Sequence, residues 1–72
     1  MNITGYIERD QESGLYVGIV PGISGAHTQA ESLDELHRNL QEVVELCLSE
    51  MEVEEIALIP EFVGIQQFQI AA

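Results

Sequence analysis

Seventy-two residues with two basic and thirteen acidic side chains carry a formal net charge of −11, which excludes a nucleic-acid binder that works by neutralising phosphates. A chain this short makes one domain, residues 1–72, and buries only about 60% of the surface its unfolded form exposes, which excludes a multidomain enzyme and leaves a thin core. Hydrophobic residues at 46% are too many for a disordered acidic tail.

Charge is unevenly spread, because Ser13 to Ala30 and Phe62 to Ala72 contain no charged residue. Asn2 to Glu8 alternates Ile3, Gly5 and Ile7 against Thr4, Tyr6 and Glu8, and Leu15 to Val20 alternates in the same way, so both are expected as strands. The polar run Arg9 to Gly14 ends in the residue best able to take positive φ, which predicts an antiparallel hairpin. Pro21, Gly22 and Gly25 then stop the second strand before a short third one, Ala26 to Gln29.

Ser32-Leu33-Asp34-Glu35 has the form of a capping box and opens a helix. Leu33, Leu36, Leu40, Val43, Val44, Cys47, Leu48 and Met51 recur at steps of three and four, an apolar stripe that should face the sheet. Asp34, Glu35, Arg38, Gln41, Glu42, Glu45 and Ser49 lie on the solvated face, where Arg38 can pair with Asp34 and Glu42. The acids Glu52, Glu54 and Glu55 are unfavourable at a helix C-terminus, so the helix is expected to end near Met51. Ile56 to Ile59 reads as a short strand or a packed turn, and Phe62 to Ile70 as a final strand. The expected architecture is α+β, in the order β-β-β-α-β, with an antiparallel-rich sheet and one helix on one face.

The N-terminus lacks the charge and apolar block of a signal peptide, and no apolar run approaches a span of about 20 residues, so a cytoplasmic protein that avoids membranes is expected. One cysteine, Cys47, precludes an intramolecular disulfide, and no zinc-ligand spacing surrounds it. A small core without a staple gains stability by association, so a homodimer or larger homo-oligomer is expected. The alternating acids Glu8, Asp10 and Glu12 are read as a solvated hairpin connection rather than a metal site. His27 and His37 have no oriented nucleophile or base beside them, and the glycines match no nucleotide loop. No catalytic residue, metal or cofactor is assigned, and the chain is not expected to be an enzyme.

One helix covers only one face of a sheet, yet the first two strands carry apolar groups on both. Ile3, Ile7, Leu15, Val17 and Ile19 are assigned to one face, and Tyr6, Tyr16 and Val20 to the other. A second chain is expected on the uncovered face: a copy of this one, a foreign protein, or both. An alternative use of the same region is a cleft for a small ligand lined by Tyr6, Tyr16, His27 and Gln29.

The run from Gly14 to Leu36 resembles the HicB-like antitoxin family: a glycine-led strand, Pro21, Gly25, Thr28-Gln29, then a capped helix containing Asn39-Leu40-Gln41-Glu42. Tyr6-Ile7-Glu8 before it and Phe62-Val63-Gly64 after it extend the similarity over most of the chain. Ala26 and Ala30 stand where the family often has cysteine and glycine. The resemblance implies a sheet and helix similar to a truncated ribonuclease H fold, and Gly14, Pro21, Gly22, Gly25 and Ser32 as its structural motif. It further implies the antitoxin of a type II toxin-antitoxin system, which binds a small basic toxin of HicA type and blocks its cleavage of mRNA. The chain is similar to a short form without the C-terminal DNA-binding module of many relatives, so no nucleic-acid contact is expected of this chain alone. The contact residues so implied are Tyr6, Tyr16, His27 and Gln29 on the sheet and Asp34, Glu35, Glu42 and Glu45 on the helix.

Overall fold

A computed structural model of the chain describes residues 1–71. Three short antiparallel strands, β1 (Tyr6–Arg9), β2 (Tyr16–Ile19) and β3 (His27–Ala30), form a sheet in the order β1-β2-β3. A long helix, α1 (Leu33–Ser49), follows directly, and a five-residue helix, α2 (Val53–Ala57), comes after it. The molecule is an α+β fold with β-β-β-α order.

The hairpin between β1 and β2 is organised by Asp10. Its Oδ2 accepts from the Ser13 amide at 2.9 Å and the Ser13 hydroxyl at 2.7 Å, an Asx turn that positions the chain for reversal. Gly14 completes the turn at φ +74°, a conformation that costs a side-chain-bearing residue strain. These hydrogen bonds, the Ser13 amide first, hold the Asp10 carboxyl below its ordinary value of 3.8.

Between β2 and β3 the chain turns twice, with Ile23 N donating to Val20 O and Ala26 N donating to Ile23 O, both at 3.1 Å. This compact reversal carries Ile23 inward, where Val20, Ile23 and Ala26 make the buried cluster against Ile3, Leu40, Val43, Val44, Cys47, Leu48, Met51 and Ile59. What the sequence marks only as a strand stop is thus part of the core.

Ser32 is the N-cap of α1, its Oγ accepting from the Glu35 amide at 3.2 Å. The helix packs against β3 and β2, and Leu36 is its only fully buried large side chain among the described residues. Gly18 makes that approach possible: a Cβ there would lie 3.0 Å from Leu40 Cδ2 and 3.5 Å from Leu36 Cδ1. Leu33, expected on the buried stripe, is 52% exposed at the first helical position.

α1 ends at Ser49, close to the end expected near Met51, but the acids after it do not all lie outside a helix. The chain breaks at Glu50, and Glu52 becomes the N-cap of α2, with Glu54 and Glu55 in its first turn, where the helix dipole favours negative charge. The Glu52 amide donates to the Glu55 carboxylate at 3.0 Å. The expected fourth strand does not form either. Residues 61–71 contain no regular element, because extended backbone becomes a strand only where a neighbour completes its ladder, and neither ladder of the sheet includes this segment. Ile56–Ile59 is the end of α2 and a turn, with Ile59 N donating to Ile56 O at 3.2 Å.

Candidate interaction site

Strand register decides which side chains share a face. Tyr6 pairs with Ile19 and Ile19 with His27, while Glu8 pairs with Val17 and Val17 with Gln29. These six residues form two rows on the side of the sheet away from α1. The alternate rows, Ile7-Gly18-Thr28 and Arg9-Tyr16-Ala30, lie on the helix side. The grouping expected from the sequence is corrected accordingly. Ile7 belongs with Tyr16 and Val20 beneath the helix, and Tyr6 belongs with Val17 and Ile19 on the open side. Alternation within one strand fixes parity, but the offset between strands comes from the Asp10–Gly14 turn, which places Tyr6 opposite Ile19.

Of the proposed cleft, Tyr6, His27 and Gln29 therefore share the open face and Tyr16 does not. Tyr16 stands under the Arg9 guanidinium, 5.9 Å from its ring centroid. Tyr6 meets a group that no periodicity announces: the Phe62 ring approaches it edge-on at 6.3 Å between centroids. Just before Phe62, Pro60 seats on Gly22, where a Cβ would fall 2.6 Å from Pro60 Cδ. Gly22 is thus an anchor point for the returning chain as well as a turn residue. Pro21 is exposed beside it, and Gly25 takes φ +81° at the end of the same turn.

Asp34, Glu35, Glu42 and Glu45 are all exposed on α1. At 100° per residue, Asp34, Glu42 and Glu45 fall within one outward sector, opposite Leu36 and Leu40, and Glu35 flanks it. Gln41 holds Glu45 in place through a 3.1 Å hydrogen bond from Nε2 to Oε1. The acidic strip and the open sheet face consequently lie on opposite sides of the helix and sheet layers. One rigid partner cannot cover both.

A cleft of about 530 Å³ between the N-terminal segment and residues 56–62 has apolar walls including Ile3, Val20, Ile56 and Ile59, and one carboxylate, Glu61. Among the described residues no three His, Cys, Asp or Glu side chains converge as a metal site, and no helix is long and apolar enough to cross a membrane. Cys47 is half-buried, with Sγ 3.8 Å from the Ser24 carbonyl oxygen. The molecule presents surfaces rather than a pocket: an acidic helix strip, an aromatic and aliphatic sheet face, and a segment of exposed apolar residues beyond Phe62.

Known proteins place the chain in a family. It is 49% identical over 61 residues to a UPF0150 protein of Synechocystis sp., covering 85% of this chain and 83% of the relative. A UPF0150 protein of Thermotoga maritima is 46% identical over 67 residues, 93% of this chain and 87% of that one. One from Archaeoglobus fulgidus is 45% identical over 64 residues, 89% and 87% of the two chains. The chain belongs to the UPF0150 family. No family model matches it, and no solved structure does.

Proposed function

We propose that this protein is a HicB-like antitoxin without enzymatic activity of its own, acting in the cytoplasm on a small basic mRNA-cleaving toxin of HicA type. The observation that carries the reading is the row of carboxylates Asp34, Glu42 and Glu45 along the outward side of α1, which outnumber the one cation among them, Arg38, and are exposed on a helix whose opposite side is packed into the core. A ribonuclease must present cations to RNA phosphates, and a rigid strip of carboxylates competes for those cations. The long-range field of a domain with net charge −11 speeds the encounter. The motif from Gly14 to Glu42 agrees with this role.

The test is co-expression with a short basic protein encoded beside this chain. Its growth arrest should be relieved by the wild-type chain and less so by Glu42→Lys/Glu45→Lys, and binding of the wild type should weaken steeply with salt. Undiminished relief by the double variant removes α1 from the contact. A second reading, a self-associating scaffold with no toxin, is favoured by a different observation. The Tyr6-Ile19-His27 row is open, and apolar residues beyond Phe62 are exposed.

A further inference from the structure

Residues 62–71 hold Val63 at 91% exposure, Ile65 at 69%, Phe68 at 75% and Ile70 at 74%, in a segment with no charge and no regular element among the described residues. The radius of gyration is 14.0 Å, against about 11 Å expected of a compact chain of this length.

The receiving surface lies on β1. The Asp10 amide donates to Leu15 O at 2.8 Å, so Asp10 turns its backbone groups toward β2, and by alternation those of Ile7 and Arg9 point outward from the sheet edge. Beside that edge, α1 leans toward β3 and β2, leaving Ile7 54% exposed. A groove of about 430 Å³ opens there, walled by Ile3, Ile7, Leu40, Val44 and Leu48, with the Glu45 carboxylate also among its lining groups. A strand added along β1 would satisfy the free backbone groups and drop alternate side chains into this groove.

We propose that residues 62–70 of one copy add as a fourth strand to the β1 edge of a second copy, and that the two copies exchange these segments reciprocally. Four features choose this occupant. At about 3.3 Å per residue the segment spans roughly 30 Å, ample for a four-residue edge. Its apolar residues fall on both parities, Val63 and Ile65 on one and Phe68 and Ile70 on the other. That suits a strand with the helix-side groove on one side and the open Tyr6-Ile19 face on the other. Two copies that each carry −11 repel across most of their surfaces, and this uncharged segment is where they can meet. Finally, Pro60 on Gly22 and Phe62 against Tyr6 fix where the segment leaves its own chain, so it departs from an ordered point. The inference stands independently of whether α1 meets a toxin.

Sedimentation equilibrium of the full chain at micromolar concentration tests it. The wild type should be a dimer. Ile65→Asp/Phe68→Asp, which spoils the segment, and Ile7→Asp, which spoils the edge, should each be monomeric with the wild-type helical circular dichroism. Mixing the two variants should restore a dimer, because the intact segment of one fits the intact edge of the other. A monomeric wild type overturns the proposal, whether the segment folds back on its own sheet or awaits a foreign protein. A dimer that survives Ile65→Asp/Phe68→Asp overturns it as well. Failure of two folded monomeric variants to complement rejects the β1 edge as the acceptor.

Discussion

Two stretches of this chain share a composition and meet opposite fates. Residues 13–30 and 62–71 are both uncharged and rich in aliphatic side chains. The first supplies Val20, Ile23, Ala26 and Ala30, none more than 4% exposed, while the second leaves Val63, Ile65, Phe68 and Ile70 at 69% or more. Hydrophobicity is therefore not what separates them. The first stretch brings its own ladder partners through two short reversals, and its side chains are buried because its backbone is paired. The second follows α1 and α2, touches the fold at Pro60 and Phe62, and beyond that point joins no ladder among the described residues. Burial of an extended segment waits on a hydrogen-bonding edge, since its amides and carbonyls cannot leave water unpaired.

The sharpest way to break this comparison is to remove side chains from each region in turn. Leu36→Ala beneath the sheet should cost about 2–5 kcal/mol, against a total of about 4–11 kcal/mol for a domain of this size. The urea transition should shift strongly or vanish. Phe68→Ala, at a concentration low enough to keep the chain monomeric, should change stability by no more than about 0.5 kcal/mol. Comparable losses from both substitutions would mean that residues 62–71 are part of the monomer's core.

Gly22→Ala probes the joint between the two regions. The new methyl would meet Pro60 Cδ at 2.6 Å, so Pro60 must move, at about 1–3 kcal/mol. Because Phe62 follows two residues later, the ring-current shift that it imposes on the Tyr6 protons should shrink. An unchanged Tyr6 spectrum would show that Phe62 is held independently of Pro60. Ser32→Ala acts on the folded region alone. It removes the hydroxyl that accepts from Glu35 N and should cost about 1 kcal/mol, or about 4–8 °C in Tm, with no effect on Tyr6.

How far each part could be read from the sequence follows the same division. The strands, their turns and the Ser32 cap were legible because each depends on residues within a few positions: alternation, a glycine at positive φ, a hydroxyl three residues before its amide. The outward placing of Asp34, Glu42 and Glu45 was legible for the same reason. The pairing of faces was not, because a shift between β1 and β2 reassigns Tyr6 and Ile7 without altering any local pattern. Nor was the fate of Phe62 to Ile70, whose apolar, uncharged run states a need for a partner but not which chain supplies it. The end of α1 near Met51 was legible from the unfavourable acids, since the helix stops at Ser49. That those acids go on to cap a second helix was not, because five residues carry no periodicity long enough to read.

Asp10 offers the smallest effect and tests why residues 13–30 fold back at all. Its carboxylate accepts from the Ser13 amide and hydroxyl, and these bonds lower its pKa in the folded chain from the ordinary 3.8. A carboxyl whose folded value is depressed contributes stability that is complete above its unfolded value and is lost as pH falls through the lower folded one. Wild type should therefore be more stable than Asp10→Asn from about pH 5 upward, and the difference should close as pH drops below 3.8. The carboxyl is fully exposed, so solvent and salt screen the effect, and low ionic strength is the condition in which to measure it. Urea midpoints for wild type, Asp10→Asn and Ser13→Ala across that range should converge at the acid end. If the gap instead persists at low pH, the turn is held by Gly14 and the backbone bonds around it, and the ionised Asp10 contributes nothing to the reversal that gives residues 13–30 the partner residues 62–71 lack.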